Sequence, residues 1–138
     1  MKHLISTLLL AALGAVAVPA SAEGLDIEVS GIGDAPIAGL KLYSSRFSYP
    51  DQPRLTERSG VYDGNAEFHF DDLAPGDYAV VVWADKNENG EFDRSMFGNP
   101  KESYMFSNNV HEDEPNWDAV RFTIGGERTQ LKLAVAKP

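Results

Sequence analysis

An antiparallel β-sandwich of about seven strands is the fold this chain predicts, on three observations. Apolar and polar residues alternate over short runs, and turn-forming residues interrupt those runs every eight to twelve positions. No stretch sustains a helical period. With 138 residues, no internal repeat and no linker, the chain is expected to form a single sandwich domain over residues 23–138.

The first 22 residues have a different pattern. Lys2 and His3 precede an apolar run from Leu4 to Val18, then Pro19 and the small triplet Ala20-Ser21-Ala22. A charged start, an apolar middle too short for a comfortable membrane span and an A-x-A end predict a signal peptide over residues 1–22. The mature protein is therefore expected in the periplasm or outside the cell, without membrane insertion. Removing Lys2 from the 12 basic residues leaves 11 against 21 acidic ones, a net charge of −10, which argues against nucleic acid as a partner. The chain has no cysteine, so disulfides, thiol catalysis and a lipid on an N-terminal cysteine are excluded. A small exported domain of this kind must be held by its core, a metal, or both.

Each strand follows from local pattern. Leu25, Ile27 and Val29 alternate with Asp26, Glu28 and Ser30, so one face meets a core and the other water. The glycines and proline of 31–36 mark a turn before a second strand, Ile37 to Tyr43. Residues 44–59 show no sustained period and are read as a surface loop with room for a short edge strand, Phe47 and Tyr49 packing back on the sheet. Asp63-Gly64 tolerates the positive φ of a tight hairpin turn, and Phe68 and Phe70 then alternate with Glu67 and His69, placing His69 on the polar face. Pro75-Gly76 suits a type II turn. Tyr78 to Trp83 is apolar on both faces and is expected to be the most buried strand. Val120, Phe122 and Ile124, the Gly125-Gly126 reversal, and Leu131, Leu133 and Val135 read as a terminal hairpin.

The chemistry concentrates after the buried strand. Asp85, Asn87, Asn89 and Asp93 present side-chain oxygens at positions 1, 3, 5 and 9 of a loop, with Gly90 at 6 and the Glu91 carbonyl at 7. This spacing wraps a hard cation, because calcium takes six to eight oxygen ligands and the glycine permits the sharp bend that turns them inward. Position 12, where such loops place a bidentate glutamate, is Met96, so Glu102 or the run Glu112-Asp113-Glu114 is needed to complete a shell. The predicted cofactor is therefore Ca²⁺, on Asp85, Asn87, Asn89, Glu91 and Asp93. The alternative is a polar turn, since Asn, Asp and Gly also make turns. Beyond the loop, Lys101, Glu102, Ser107, Asn108 and Asn109 are candidates for a polar groove, with Tyr104 or Trp117 as a flat apolar wall. Trp83 is expected in the core and Trp117 partly exposed.

Two stretches carry a family resemblance. Phe70, Leu73, Pro75, Gly76, Tyr78 and Val80 form an F-x-x-L-x-P-G-x-Y-x-V run that resembles the turn and strand of transthyretin-like and carboxypeptidase-regulatory-like sandwiches. The D-x-N-x-N-G-x-x-D run from Asp85, followed by Gly98, Pro100, Lys101, Glu102 and Phe106 to Asn109, resembles bacterial secreted proteins built on domain of unknown function 2141. That family pattern often has histidine where this chain has Ala84, and other residues at Asn99 and Met105. The resemblance implies a transthyretin-like fold and export, and no activity.

No catalytic residue is assigned. The mature chain has only His69 and His111, without a G-x-S-x-G elbow, an H-E-x-x-H helix or a phosphate-binding glycine loop. The expected function is an exported, non-catalytic binding or accessory module with a calcium-stabilised loop, its ligand a small molecule, saccharide, peptide or envelope protein. The alternatives are a purely structural envelope partner and a small carboxylate-dependent hydrolase.

Overall fold

Short alternating runs become eight strands in two facing sheets. The computed structural model describes residues 23–138, so the expected signal peptide lies outside the described residues. In chain order the strands are β1 (Glu23–Ser30), β2 (Ile37–Tyr43), β3 (Leu55–Gly60), β4 (Ala66–Leu73), β5 (Gly76–Asp85), β6 (Tyr104–Phe106), β7 (Phe122–Ile124) and β8 (Thr129–Ala134), with one short helix, α1 (Trp117–Val120). One sheet has the order β4-β1-β8; the other runs β3-β2-β5-β6, with β7 pairing the start of β5. Leu25, Ile27 and Val29 of β1, Leu40 and Leu42 of β2, Phe68 of β4, Val80 and Val82 of β5 and Leu133 of β8 fill the space between them.

Strand β5 is apolar on both faces because both are covered. Val80 and Val82 face the core, while Ala79, Val81 and Trp83 pack into a second cluster with Tyr43, Tyr104, Phe106, Trp117 and Val120. That second cluster lies on the outer face of the larger sheet, under the segments that follow β5. Trp83 is fully buried, as its place in the strand implied, and its ring lies over Gly39, its cross-strand partner on β2.

Local signals account for most of the turns. Asp63 and Gly64 take φ values of 52° and 76°, and Tyr62 and Asn65 exchange backbone hydrogen bonds of 2.9 and 3.0 Å across them, as a type I′ turn requires. This turn joins two edge strands of different sheets, β3 and β4. Gly76 has φ 156°, not the value near 80° of the expected type II turn. The corner is fixed by Tyr78, whose buried ring aims its hydroxyl back to donate to the Ala74 carbonyl at 2.6 Å. Tyr49 packs back as expected, whereas Phe47 is 97% exposed.

Two expectations are corrected. The terminal hairpin does not form: β7 pairs antiparallel with Gly76–Tyr78 of β5, while β8 crosses to the other sheet and pairs parallel with β1, Leu131 beside Ile27 and Leu133 beside Val29. Alternation sets which face of β8 is apolar but not its partner, and the smaller sheet is therefore mixed rather than antiparallel. The strand expected on Val120, Phe122 and Ile124 begins only at Phe122, because Val120 belongs to α1, whose turn Asn116 caps by accepting the Ala119 N–H at 2.9 Å. No helix among the described residues is long and apolar enough to cross a membrane.

Candidate functional site

Strand register assembles the site. Strands β5 and β6 pair antiparallel with Val81 opposite Phe106, Val82 opposite Met105 and Trp83 opposite Tyr104, and the Ala84 N–H continues the ladder to the Ser103 carbonyl at 2.9 Å. Just beyond this ladder the chain bends at Glu102, which lies close enough to Asp85 for the two carboxyl groups to interact electrostatically. Asp85 is only 1% exposed; its Oδ2 accepts the Gly90 N–H at 2.9 Å, and its Oδ1 is buried with no hydrogen-bond partner among the described residues. Glu102 Oε2 is likewise buried and unpartnered.

The intervening loop closes over this pair. Gly90 bends the chain with φ 74°, and Glu88 is also left-handed at 54°. The Asp93 carboxylate accepts from the Asn87 amide at 2.8 Å and from the Asn89 amide at 2.7 and 2.9 Å, so positions 3, 5 and 9 of the loop converge. Asn89 Oδ1 accepts the Glu91 N–H at 3.0 Å. The Glu91 side chain is exposed, which leaves its carbonyl as the only group it offers a cation. Between these polar residues Phe92 turns the other way. Its ring stacks on Trp83 at 5.6 Å and packs on Tyr104 at 5.4 Å, pinning the loop to the sheet. Arg94 lies over the Phe92 ring and donates to the carbonyls of Gly98 and Asp113 at 2.8 and 3.1 Å.

Electrostatics distinguish the carboxylates. Burial, then a hydrogen bond that the protonated Glu102 donates to the Asp93 carboxylate and the charge of Asp93, with a contribution from Asp85, push Glu102 up to about 8. Amide donation from Asn89 and Asn87 holds Asp93 below the usual carboxylate range. Among the described residues no three His, Cys, Asp or Glu side chains form a ready metal cluster. A cation here would use a mixed shell: carboxylate oxygens of Asp85, Asp93 and Glu102, with amide and main-chain oxygens from Asn87, Asn89 and Glu91. The residues fit calcium in kind, because every donor is oxygen and two buried carboxylate oxygens lack partners. A half-turn of either amide would direct Oδ1 toward the ion. Beside the carboxylates opens a cavity of about 550 Å³ that Lys86, Lys101 and Lys137 also line, and their charge opposes tight cation binding.

The remaining predicted residues separate. Glu102 joins the loop, as one option for completing the shell required, but Asp113 instead accepts from the Tyr104 hydroxyl at 3.2 Å. Lys101 lines the cavity and forms no ion pair with Glu102 among the described residues. Tyr104 and Trp117 are only 1% and 8% exposed, which corrects the picture of Tyr104 as an open wall and of Trp117 as partly exposed. Ser107 is fully buried, accepting the Val80 N–H at 3.1 Å and donating to the Val120 carbonyl. Asn108 donates to the carbonyls of Ala119 and Arg121 at 3.1 and 2.8 Å. Asn109, with Asn108, takes a left-handed φ in the tight turn Ser107–Asn109. These three residues hold that turn in place, and they do not share a groove with Tyr104.

His69 is not isolated. It lies opposite Asp26 across β4 and β1, with Nδ1 and Oδ1 2.6 Å apart, while Arg128 on the neighbouring connection clasps the same carboxylate. Hydrogen bonds from Arg128 and then His69 hold Asp26 well below the usual range, and Asp26 and Glu67 raise His69. This exposed network ties the three strands of the smaller sheet. His111 stacks on Tyr104 at 4.4 Å, apart from it.

Fold and site together define a two-sheet, all-β protein with a carboxylate- and amide-rich loop folded over one sheet. The chain belongs to the family described as an uncharacterized protein conserved in bacteria (DUF2141), whose model matches residues 34–132. No curated protein and no solved structure matches it.

Proposed function

We propose that this chain is an exported, non-catalytic binding module on a transthyretin-like sandwich, in which calcium orders the loop between β5 and β6. One observation carries the reading: Asp85 and Glu102 lie near each other and near the Asp93 carboxylate, each with a buried oxygen that has no hydrogen-bond partner among the described residues. A dication takes the place of the Glu102 proton and supplies the missing partners. Magnesium suits the site less, because it demands strict octahedral geometry and keeps its water. The charged start and A-x-A end of residues 1–22 support export. A second reading, a purely structural envelope partner, draws support from Met96 and Phe97, 92% and 84% exposed in the same loop.

The test is thermal melting in calcium against chelator. Two to three carboxylates opposed by lysines give a dissociation constant of about 10⁻⁴–10⁻³ M. At ten times that concentration, linkage stabilises by about 1.4 kcal/mol, or roughly 5 °C at this size. Asp85→Asn retains an acceptor for the Gly90 N–H and abolishes the shift. Identical melting temperatures in calcium and chelator count against the proposal.

A further inference from the structure

The larger sheet carries a second concavity on its outer face, a groove of about 870 Å³. That volume is in the range of small-molecule sites. Its apolar walls are Tyr43, Tyr49, Phe92 and Trp117. They are fixed in place: the Tyr49 hydroxyl donates to the Pro115 carbonyl at 2.6 Å, the Tyr43 hydroxyl donates to the Pro50 carbonyl at 3.0 Å, and Tyr49 packs on Tyr43 and Trp117 at 5.1 and 5.8 Å. Walls that need no ordering on binding waste little affinity.

The polar lining defines the ligand. In a protein of strong negative charge this groove is balanced, with Lys41, Arg46 and Arg94 against Asp51, Glu114 and Asp118. Arg46 is paired with Asp118 at 2.6 Å, and Arg94 is engaged by carbonyls and by Phe92. Lys41 is different: half-buried, it lies 5.9 Å over the Trp83 ring and makes no ion pair among the described residues. It is a cation on the floor with capacity for one anionic group. Asp51, Glu114 and Asn116 on the rim can accept hydroxyl protons. The groove crosses the face of the sheet and not an edge, so it offers no row of free backbone groups to an extended peptide.

We infer that this groove binds a short acidic saccharide, with a pyranose ring against the half-buried Tyr49 ring, which Trp117 backs from beneath, hydroxyls on the rim acids and a sugar carboxylate on Lys41. The site rests on the binding-module reading above and names its ligand class. It also shares Phe92 with the loop, so the loop that calcium is proposed to order forms one wall.

The experiment is amide and indole chemical-shift mapping of the mature domain in calcium with three probes: digalacturonate, a neutral galactose disaccharide, and trialanine. Digalacturonate is expected to shift Lys41, Tyr49 and the Trp117 indole at about millimolar concentration, with the neutral sugar weaker on the same residues. Lys41→Gln weakens digalacturonate about tenfold, the loss of one charge-assisted hydrogen bond, and leaves the neutral sugar unchanged. Tyr49→Ala, checked by melting for an intact fold, weakens both. No shifts, shifts elsewhere, preference for trialanine, or an equal loss of both sugars in Lys41→Gln would overturn the assignment. Calcium heat measured on the same sample separates the two readings. Heat without sugar binding defeats the groove alone, and sugar binding without heat defeats the calcium loop alone.

Discussion

Calcium binding to this loop should expel a proton. Burial and the Asp93 carboxylate push Glu102 up to about 8, so at pH 7 most molecules carry a proton there before the ion arrives. Coordination requires the carboxylate, and that proton must leave. Calorimetric titrations at pH 7 in buffers of different ionisation enthalpy should therefore give apparent heats whose slope shows proton release, approaching about one proton per calcium as pH falls. Affinity should rise by up to about tenfold per pH unit below 8 and level off above it. Glu102→Gln has no proton to lose, so it should bind more weakly and show neither dependence. The sign for stability without calcium is the reverse. Because folding raises Glu102 above its ordinary value of 4.5, its contribution to stability is fully present below that value and is lost as pH rises through about 8. Heats independent of buffer, or an affinity flat between pH 6 and 8, would refute the coupling of Glu102 to the ion.

Further predictions concern what supports the loop. Ser107→Ala strands the Val80 N–H beside the central strand and should cost about 1–3 kcal/mol in denaturant unfolding, without altering calcium heat per folded molecule. Gly39→Ala places a Cβ 2.2 Å from the Trp83 ring, which Phe92 stacks against, so the ring cannot yield. The overpacking should cost about 1–3 kcal/mol or more, read as a lower melting temperature, and should weaken calcium binding as Phe92 lifts.

Much of this arrangement was legible in the sequence for local reasons. A strand with no polar face, Tyr78 to Trp83, announces cover on both sides, and it runs directly into Asp85. Gly90 and Asp63-Gly64 mark backbone that must turn with positive φ, and the structure bends at both. What stayed hidden depends on register between distant segments. Glu102 was one of several acids able to approach the loop; the pairing of Trp83 with Tyr104 is what brings it near Asp85. Phe92 gave a weak signal, one aromatic among polar residues, because its partners are distant strands. The final hairpin misled for a related reason: apolar alternation in Leu131 and Leu133 fits any partner with a matching face, and β1 offered a better one than β7. Ser107, Asn108 and Asn109 resembled ligand groups because polar side chains that close a buried turn and those that meet a ligand have the same chemistry.

Diffraction from crystals grown in millimolar calcium tests the central claim most directly. An anomalous peak about 2.4 Å from Asp85 Oδ1 and Glu102 Oε2, with Asp93 in the same shell, is the predicted result. Ordered water on those two oxygens, with no peak between them at any calcium concentration, would contradict the account.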